Sequence, residues 1–339
     1  MKKYQLLEGS TDMSSLKLVE CNEPEPGDTQ VLVRVHATSL NYRDHAIVTG
    51  NYFGGVLKRD TVPLSDGAGE VVAVGRSVNR FKPGDRVIAT FFQVWIDGVP
   101  DRSSFNALGS PADGMLAEYV VLDQEGLVRC PDHLSYEEAA TLPCAAVTAW
   151  NALMVSGRVR PGDTVLALGT GGVSIFGLQF ARMSGARVII TSSRDDKLRK
   201  TEELGAAATV NYATTPEWHE EVLRLTEGKG ANHVIEVGGA GTLAKSFQCV
   251  GFRGRISLIG VLSGHEGDTN PHPLMMKNAT MCGIFVGSRA MFEQMNEAIA
   301  VNRMHPVVDR VFPFAEAAEA FAYQRAGKHL GKVVIEVAD

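Results

Sequence analysis

Hydrophobic and polar positions change rhythm once along this chain. In the first third the apolar residues come in short runs. Val31-Leu-Val-Arg-Val35 alternates, and Gly69-Glu-Val-Val-Ala-Val-Gly75 is a short strand between glycines. Pro83-Gly-Asp-Arg-Val-Ile88 reads as a turn feeding a strand, and Ala117-Glu-Tyr-Val-Val-Leu122 as another strand. Short strands set off by Gly and Pro turns predict a barrel-like β domain. Between about residues 92 and 115 the pattern lapses into a loop carrying Trp95, Pro100, Arg102, Phe105 and Pro111. A loop of that length is usually functional or mobile.

From about residue 146 the rhythm lengthens. Apolar strands near residues 164, 187, 208, 232, 255 and 281 alternate with helical stretches, among them Leu198–Leu204, Trp218–Thr226 and Thr242–Val250. Such alternation predicts a parallel sheet covered by helices on both faces. After residue 286 come a helix (Met291–Val301), a second helix after Pro313, and the strand Lys332-Val-Val-Ile-Glu-Val337, which can return to the first domain. The division this predicts is 1–145 completed by 287–339, and 146–286.

The richest stretch is Thr164-Val-Leu-Ala-Leu-Gly-Thr-Gly-Gly-Val-Ser174. An apolar strand enters a glycine turn and leaves as a helix, Ile175 to Met183, before a second apolar strand, Arg187-Val-Ile-Ile-Thr191. This is the layout of a dinucleotide-binding βαβ unit. Backbone N–H groups at Gly169, Gly171, Gly172, Val173 and Ser174 are placed to cradle a pyrophosphate at the positive end of the helix. Ser174 stands where a third glycine is common, and a small residue still allows close packing of helix on strand. An NAD site usually carries Asp or Glu at the tip of the second strand, for the ribose hydroxyls. Here the tip reads Ser192-Ser-Arg-Asp-Asp-Lys197. Ser192, Ser193, Arg194 and Lys197 suit a 2′-phosphate, so the expected cofactor is NADP(H). Arg194 and Lys197 are also what a solvated helix start would carry.

Composition narrows the field. The chain has 339 residues, enough for two domains, with 45% hydrophobic residues and a formal charge of −6. An acidic chain without a basic stripe gives no reason to expect nucleic acid. The start, Met-Lys-Lys-Tyr-Gln-Leu-Leu-Glu, turns acidic too early for a signal peptide. Of two long uncharged stretches, Ala139–Gly157 is interrupted by Pro143 and Thr164–Ala181 by glycines, so neither is expected to span a membrane. The five cysteines, Cys21, Cys130, Cys144, Cys249 and Cys282, are scattered without a C-x-x-C spacing, as expected of reduced thiols in a cytoplasmic protein.

Six motifs in order make the chain resemble the medium-chain dehydrogenase/reductase superfamily. They are Asn41-Tyr-Arg-Asp44, Asp66-Gly-Ala-Gly-Glu-Val-Val-Ala-Val-Gly75, Pro83-Gly-Asp-Arg-Val87, Gly114-Met-Leu-Ala-Glu-Tyr119, Leu142-Pro-Cys-Ala-Ala-Val-Thr-Ala-Trp150 and the glycine turn. The resemblance is greatest to the quinone-oxidoreductase-like and alcohol-dehydrogenase-like members. It implies an α/β fold: a GroES-like catalytic β-barrel domain plus a Rossmann doubly wound domain, with the active site in the cleft between them. It also implies a homodimer joined through Rossmann sheet edges, the edge here lying near Met281–Val286. That apolar run equally suits a buried strand.

The departures from the zinc-dependent members are informative. Those enzymes place Cys where this chain has Asn41 and His where it has Ser65; only the third ligand position is kept, as Cys144. Asn and Ser are poor zinc ligands, and one thiolate cannot hold a four-coordinate ion. Residues 90 to 115 contain no Cys, so the four-cysteine lobe is missing too. The expectation is no catalytic and no structural zinc. Without a Lewis acid, a conjugated carbonyl or a quinone is the easier hydride acceptor, because its developing charge is already delocalised onto oxygen.

By resemblance to zinc-independent enoyl thioester reductases, Tyr52 is the expected donor to the enolate; otherwise it lines the pocket wall. Asn41 is expected to bond the nicotinamide ribose or the substrate oxygen, or else to pin its own loop. Tyr42 and Arg43 reach the site or the cofactor phosphates, and Asp44 serves the fold. The resemblance also puts Thr148 beside the nicotinamide and Tyr212 beside the adenine ribose. It puts Ile259, Gly260, Val286 and Ser288 near the carboxamide and ribose, and Lys332 near the phosphates. Two rival functions stand beside this reading. One is an alcohol dehydrogenase that uses Tyr52 or Arg43 in place of metal; the other is a non-catalytic NADPH-binding sensor.

Overall fold

The computed structural model describes residues 1–53, 55–264, 266–267 and 270–338. The chain divides into two compact units, Met1–Val147 with Gly287–Asp339, and Thr148–Val286.

The first unit opens with a small antiparallel pair, β1 (Lys2–Leu6) and β2 (Leu16–Glu20). Its main sheet holds β3 (Gln30–Ser39), β4 (Asp66–Val74), β5 (Arg86–Ala89), β6 (Tyr119–Asp123) and β7 (Leu127–Arg129). Strand β3 is the hub. It pairs along its length with β4, while its other edge meets β6 through Gln30–Arg34 and the chain's last strand through Ala37–Ser39. Register shifts at Leu32/Val33 and Val35/Ala37 mark bulges, which bend a strand and let a sheet curl round its own core. That core gathers Val31, Val33 and Val35 from β3, Val71 from β4 and Val87 from β5, with Phe321 from a late helix.

The second unit is a parallel sheet. Its strands are β8 (Thr164–Leu168), β9 (Arg187–Ser192), β10 (Ala208–Asn211), β11 (Ala231–Glu236), β12 (Val250–Leu258) and β13 (Thr280–Gly283). They lie in the order β10-β9-β8-β11-β12-β13, so the winding reverses between β8 and β11, the switch point where such sheets bind ligands. Every residue of β8 is buried, as a strand covered on both faces requires. The helices Gly172–Met183, Asp195–Glu203, Trp218–Leu225 and Ala240–Cys249 connect the strands. Strand β13 is an edge, and in the run Met281–Val286 the residues Met281 and Phe285 are exposed while Ile284 and Val286 are buried, so the run is covered only in part.

After the helix Arg289–Asn302, strand β14 (Val308–Pro313) and the helix Ala317–Arg325 lead to β15 (Lys332–Glu336). Strand β15 pairs antiparallel with β3 and parallel with β14, so the last strand completes the first sheet. The stretch from 92 to 115 packs rather than trails: Phe92 meets Phe91, Trp95 and Phe105 with ring centroids 4.7, 6.0 and 5.3 Å apart. The carbonyls of Trp95 and Ile96 accept from the N–H groups of Arg289 and Ala290. Side chains of its own sequence fill this loop. Among the described residues no helix is long and apolar enough to cross a membrane.

Because β15 closes the sheet, truncating a fully buried side chain on it costs the first unit directly. Ile335→Ala is expected to lower stability by about 2–5 kcal/mol, read from the denaturant midpoint; an unchanged midpoint contradicts the closing role.

Candidate active site

In the first unit the site grows from the end of β3. The chain leaves the strand at Leu40, and Asn41 starts the helix Tyr42–Val48. The Asn41 N–H donates to Asp44 Oδ2 at 2.6 Å and the Asp44 N–H returns to the Asn41 carbonyl at 3.1 Å. An acidic side chain one turn in thus satisfies the helix entry.

Asn41 is 8% exposed, and its amide oxygen faces a cation. Lys332 Nζ donates to Asn41 Oδ1 at 2.6 Å and the Leu40 carbonyl at 2.7 Å, and lies 3.4 Å from Asp66 Oδ2. Lys332 is 3% and Asp66 0% exposed, so this ion pair is dry. Asp66 also accepts from Ser65 Oγ (2.7 Å), Ser39 Oγ (3.3 Å) and the Cys144 N–H (3.4 Å). Here the expectation for Lys332 is corrected. It has no reach toward cofactor phosphates, because it is buried in the first unit with its donors spent. Neither Asp66 nor this pairing was assigned a role from the sequence. The available signal was a pair of opposite charges, Asp66 and Lys332, each at the start of a largely apolar strand, since buried charges need partners.

Arg43 is corrected as well. It is 6% exposed, and its terminal nitrogens donate to the carbonyls of Leu108 (2.9 Å) and Ser110 (3.0 Å). Its guanidinium lies between two rings, 4.9 Å from the centroid of Tyr52 and 4.7 Å from that of Phe91. Arg43 therefore supports Tyr52 instead of meeting phosphate. Tyr52 is half-buried, and burial pushes its phenol above the usual value, with the charge and hydrogen bond of Arg43 pulling the other way. Tyr42 lies exposed on the helix surface. Burial and then Asp66 raise the Cys144 thiol, while Lys332 opposes them. Ser288 caps its own helix, accepting from the Met291 N–H at 3.2 Å, so its hydroxyl is committed to the fold.

In the second unit the turn after β8 is shaped for close approach. Gly169 has φ +74°, a conformation that favours glycine. A Cβ on Gly169 or Gly171 would meet nothing within 4 Å, so the space over the turn is open. No side chain caps the helix Gly172–Met183, leaving its first N–H groups, Gly172, Val173 and Ser174 among them, for a bound anion. The Gly169 N–H itself goes to Thr191 Oγ1 at 3.3 Å, and Ser174 Oγ donates to the Leu168 carbonyl at 2.6 Å.

The tips of β9 and β10 bring Ser192 and Tyr212 together, the Tyr212 N–H donating to the Ser192 carbonyl at 3.0 Å. Ser193 is exposed and Lys197 buried. Arg194 grips Asp196 through two bonds of 2.9 and 2.7 Å, which holds that carboxyl down at about 2. Thr148 is buried. The N–H groups of Ile259 and Gly260 both donate to the Glu236 carbonyl, at 2.9 and 3.2 Å, which leaves only their carbonyls for a ligand. Val286 has φ +54°, strained for a β-branched residue, and its carbonyl accepts from Asn151 Nδ2 at 2.8 Å.

Asp44 carries a pH dependence. Burial pushes its carboxyl up to about 6 against the pull of Arg43 and the Asn41 N–H, from about 3.9 in an unfolded chain. The folded state then binds the proton more tightly. The group's contribution to stability is full below pH 4 and is lost as pH rises through 6, a change of roughly 3 kcal/mol. Asp44→Asn keeps an acceptor for the Asn41 N–H and is expected to flatten this slope in denaturant midpoints taken from pH 4 to 7; parallel slopes contradict it.

Comparison with known proteins agrees with this geometry. Residues 27–132 match the alcohol dehydrogenase GroES-like domain and residues 172–301 the zinc-binding dehydrogenase family. A zinc-type alcohol dehydrogenase-like protein of Schizosaccharomyces pombe is 46% identical over 99% of both chains. A quinone oxidoreductase of Pseudomonas aeruginosa is 31% identical over 92% of both. A solved NAD-dependent alcohol dehydrogenase is 34% identical, with a TM-score of 0.91 over 100% of both chains. A GroES-like sheet, a Rossmann sheet with an open glycine turn, and relatives aligned along nearly the whole length place the chain in the medium-chain dehydrogenase/reductase superfamily, as an oxidoreductase with a nicotinamide cofactor.

Proposed function

We propose that the protein uses NADPH, without zinc, to reduce a small conjugated carbonyl or a quinone. The observation that carries this reading is the donor set at the three positions where zinc-dependent relatives hold their ion. Asn41 offers an amide oxygen already bonded to Lys332, Ser65 a hydroxyl committed to Asp66, and Cys144 a thiol that burial keeps protonated. Zinc needs thiolate, imidazole or carboxylate ligands, and a dication would meet the Lys332 charge at close range. The residues do not fit the metal, so the chemistry falls to Tyr52 and its neighbours.

Bound NADPH supplies the hydride. The chain's task is to stabilise negative charge as it collects on the acceptor oxygen. Tyr52, like any phenol, is protonated at neutral pH, and burial pushes it further that way, so it can donate a hydrogen bond or a proton to that oxygen. Arg43 under the ring favours any phenolate that forms. One neutral donor is a weaker stabiliser than a metal, which suits an acceptor that delocalises its own charge.

The preference for NADPH rests on Ser192, Ser193 and Arg194 standing where an acid would repel a 2′-phosphate. Arg194 must give up Asp196 to bind it. That pair is exposed and screened by water, so the exchange costs little. A second reading, alcohol dehydrogenase, draws on the names of relatives.

The test is NADPH consumption with quinones, enones and enoyl thioesters, with and without a chelator. Undiminished rates after chelation are expected; loss of activity, or turnover of saturated secondary alcohols in its place, overturns the proposal. Tyr52→Phe is expected to lower kcat about 100-fold with NADPH affinity unchanged, and the wild-type kcat should stay level from pH 6 to 9. Arg194→Ala should raise KM for NADPH and leave that for NADH unmoved; an equal effect on both contradicts the cofactor assignment.

A further inference from the structure

The ion pair behind Asn41 fixes more than the fold. A lysine head group carries three donors and no acceptor. With Lys332 Nζ 2.6 Å away, only the oxygen end of the Asn41 amide can face it, so Nδ2 must turn the other way. That nitrogen is buried and no described residue accepts from it. A buried donor left unmatched costs about 1–3 kcal/mol. Around it the Asn41 N–H is bonded to Asp44 and Asp66 accepts on both oxygens, while Asp44 Oδ1 has no hydrogen bond but lies 3.8 Å from the Arg43 guanidinium, whose Nε is also unbonded. Of these unmatched groups the Asn41 nitrogen is the one that Lys332 turns away from itself, which is what a donor kept for an incoming oxygen looks like.

We propose that Lys332 is a positioning residue for the reaction: it fixes and polarises the Asn41 amide so that Nδ2 donates to an oxygen of the bound substrate or cofactor. The cation bonded to the amide oxygen draws electron density from the nitrogen, and each bond in such a chain strengthens the next. Asp66 neutralises the cation and holds it in place, so the amide, not a mobile charge, delivers the field. The substrate half of this inference rests on the reductase activity proposed above; the cofactor half does not.

The test uses the whole chain in four forms: wild type, Asn41→Ala, the double variant Lys332→Met/Asp66→Asn, and the triple variant that combines them. The double variant removes both charges together, so no lone charge is left buried. Two quantities are read: NADPH affinity by fluorescence titration, and single-turnover reduction of an enone by bound NADPH. Asn41→Ala and the double variant should each depress the same quantity by at least about tenfold, and the triple variant should fall no further than Asn41→Ala alone. A purely structural role would make the losses add. Loss confined to hydride transfer places the oxygen on the substrate, and loss of NADPH affinity places it on the cofactor; either supports the role of Lys332. Additive losses, or a double variant with wild-type values in both readings, overturn it. If wild type reduces no conjugated acceptor, the proposed activity falls, and the NADPH titration alone decides for or against Lys332.

The wild-type protein gives a readout independent of how the variants fold. The side-chain amide signals of Asn41, identified as those missing from Asn41→Ala in ¹⁵N-labelled protein, should shift on adding NADPH or NADPH with an unreactive enone analogue. Signals that stay put under both conditions overturn the inference.

Discussion

A single buried ammonium ties the first unit together. Lys332 sits at the start of the last strand, yet its three acceptors come from the end of β3, the head of the helix Tyr42–Val48 and the start of β4. Through Asp66 the same cluster reaches the Cys144 N–H in the π-helical turn Leu142–Ala146, just before the chain enters the second unit. Four segments far apart in sequence therefore meet on one charge pair. Burying two charges is expensive, and the pair itself adds little net stability. Breaking it by removing one partner is what costs, about 3–5 kcal/mol, because the other charge is left dry and alone. The pair thus acts mainly as a constraint: alternative registers of β15 against β3 would strand a charge.

The parts of this fold legible in the sequence are those whose physics is local. The second unit's strands are buried on both faces and so read as unbroken apolar runs, with the glycine turn after β8 marking the switch point. The long alternating strand β3 was equally plain. Strands β2 and β14 were not, because each is short and mostly exposed, and little alternation survives. The same division holds at the site. Asn41, Tyr52 and the turn residues announce themselves by motif and spacing. The role of Lys332 does not, because its partner Asp66 lies 266 residues away and no periodicity links them. Arg43 was visible as a cation but not as a buried one; its burial depends on carbonyls of Leu108 and Ser110 in a loop whose sequence has no regular pattern. Past the tip of β9, Arg194 is plain in the sequence as a cation, but its bond to Asp196 two residues on is a contact too local for strand and helix patterning to resolve.

Cation chemistry connects this constraint to the choice of substrate. A metal at an active site polarises oxygen directly, as a Lewis acid with open coordination positions. An ammonium carries one charge, has no vacant orbital, and in this chain is enclosed by oxygen acceptors. On the inference above, what it transmits to a ligand passes through a hydrogen-bonded amide and is correspondingly weak. Tyr52, the other proposed donor, is a neutral phenol whose pKa burial pushes up. On the proposed reading, a site with two such donors stabilises a full alkoxide poorly, because neither donor itself carries a charge to match a localised one. It is better suited to an enolate or a hydroquinone anion, whose charge is spread over several atoms before the protein contributes. On the reading proposed above, the residues that do not fit an ion also favour the acceptor: the fewer charges the chain aims at the reacting oxygen, the more of the stabilisation the substrate's own conjugation has to provide.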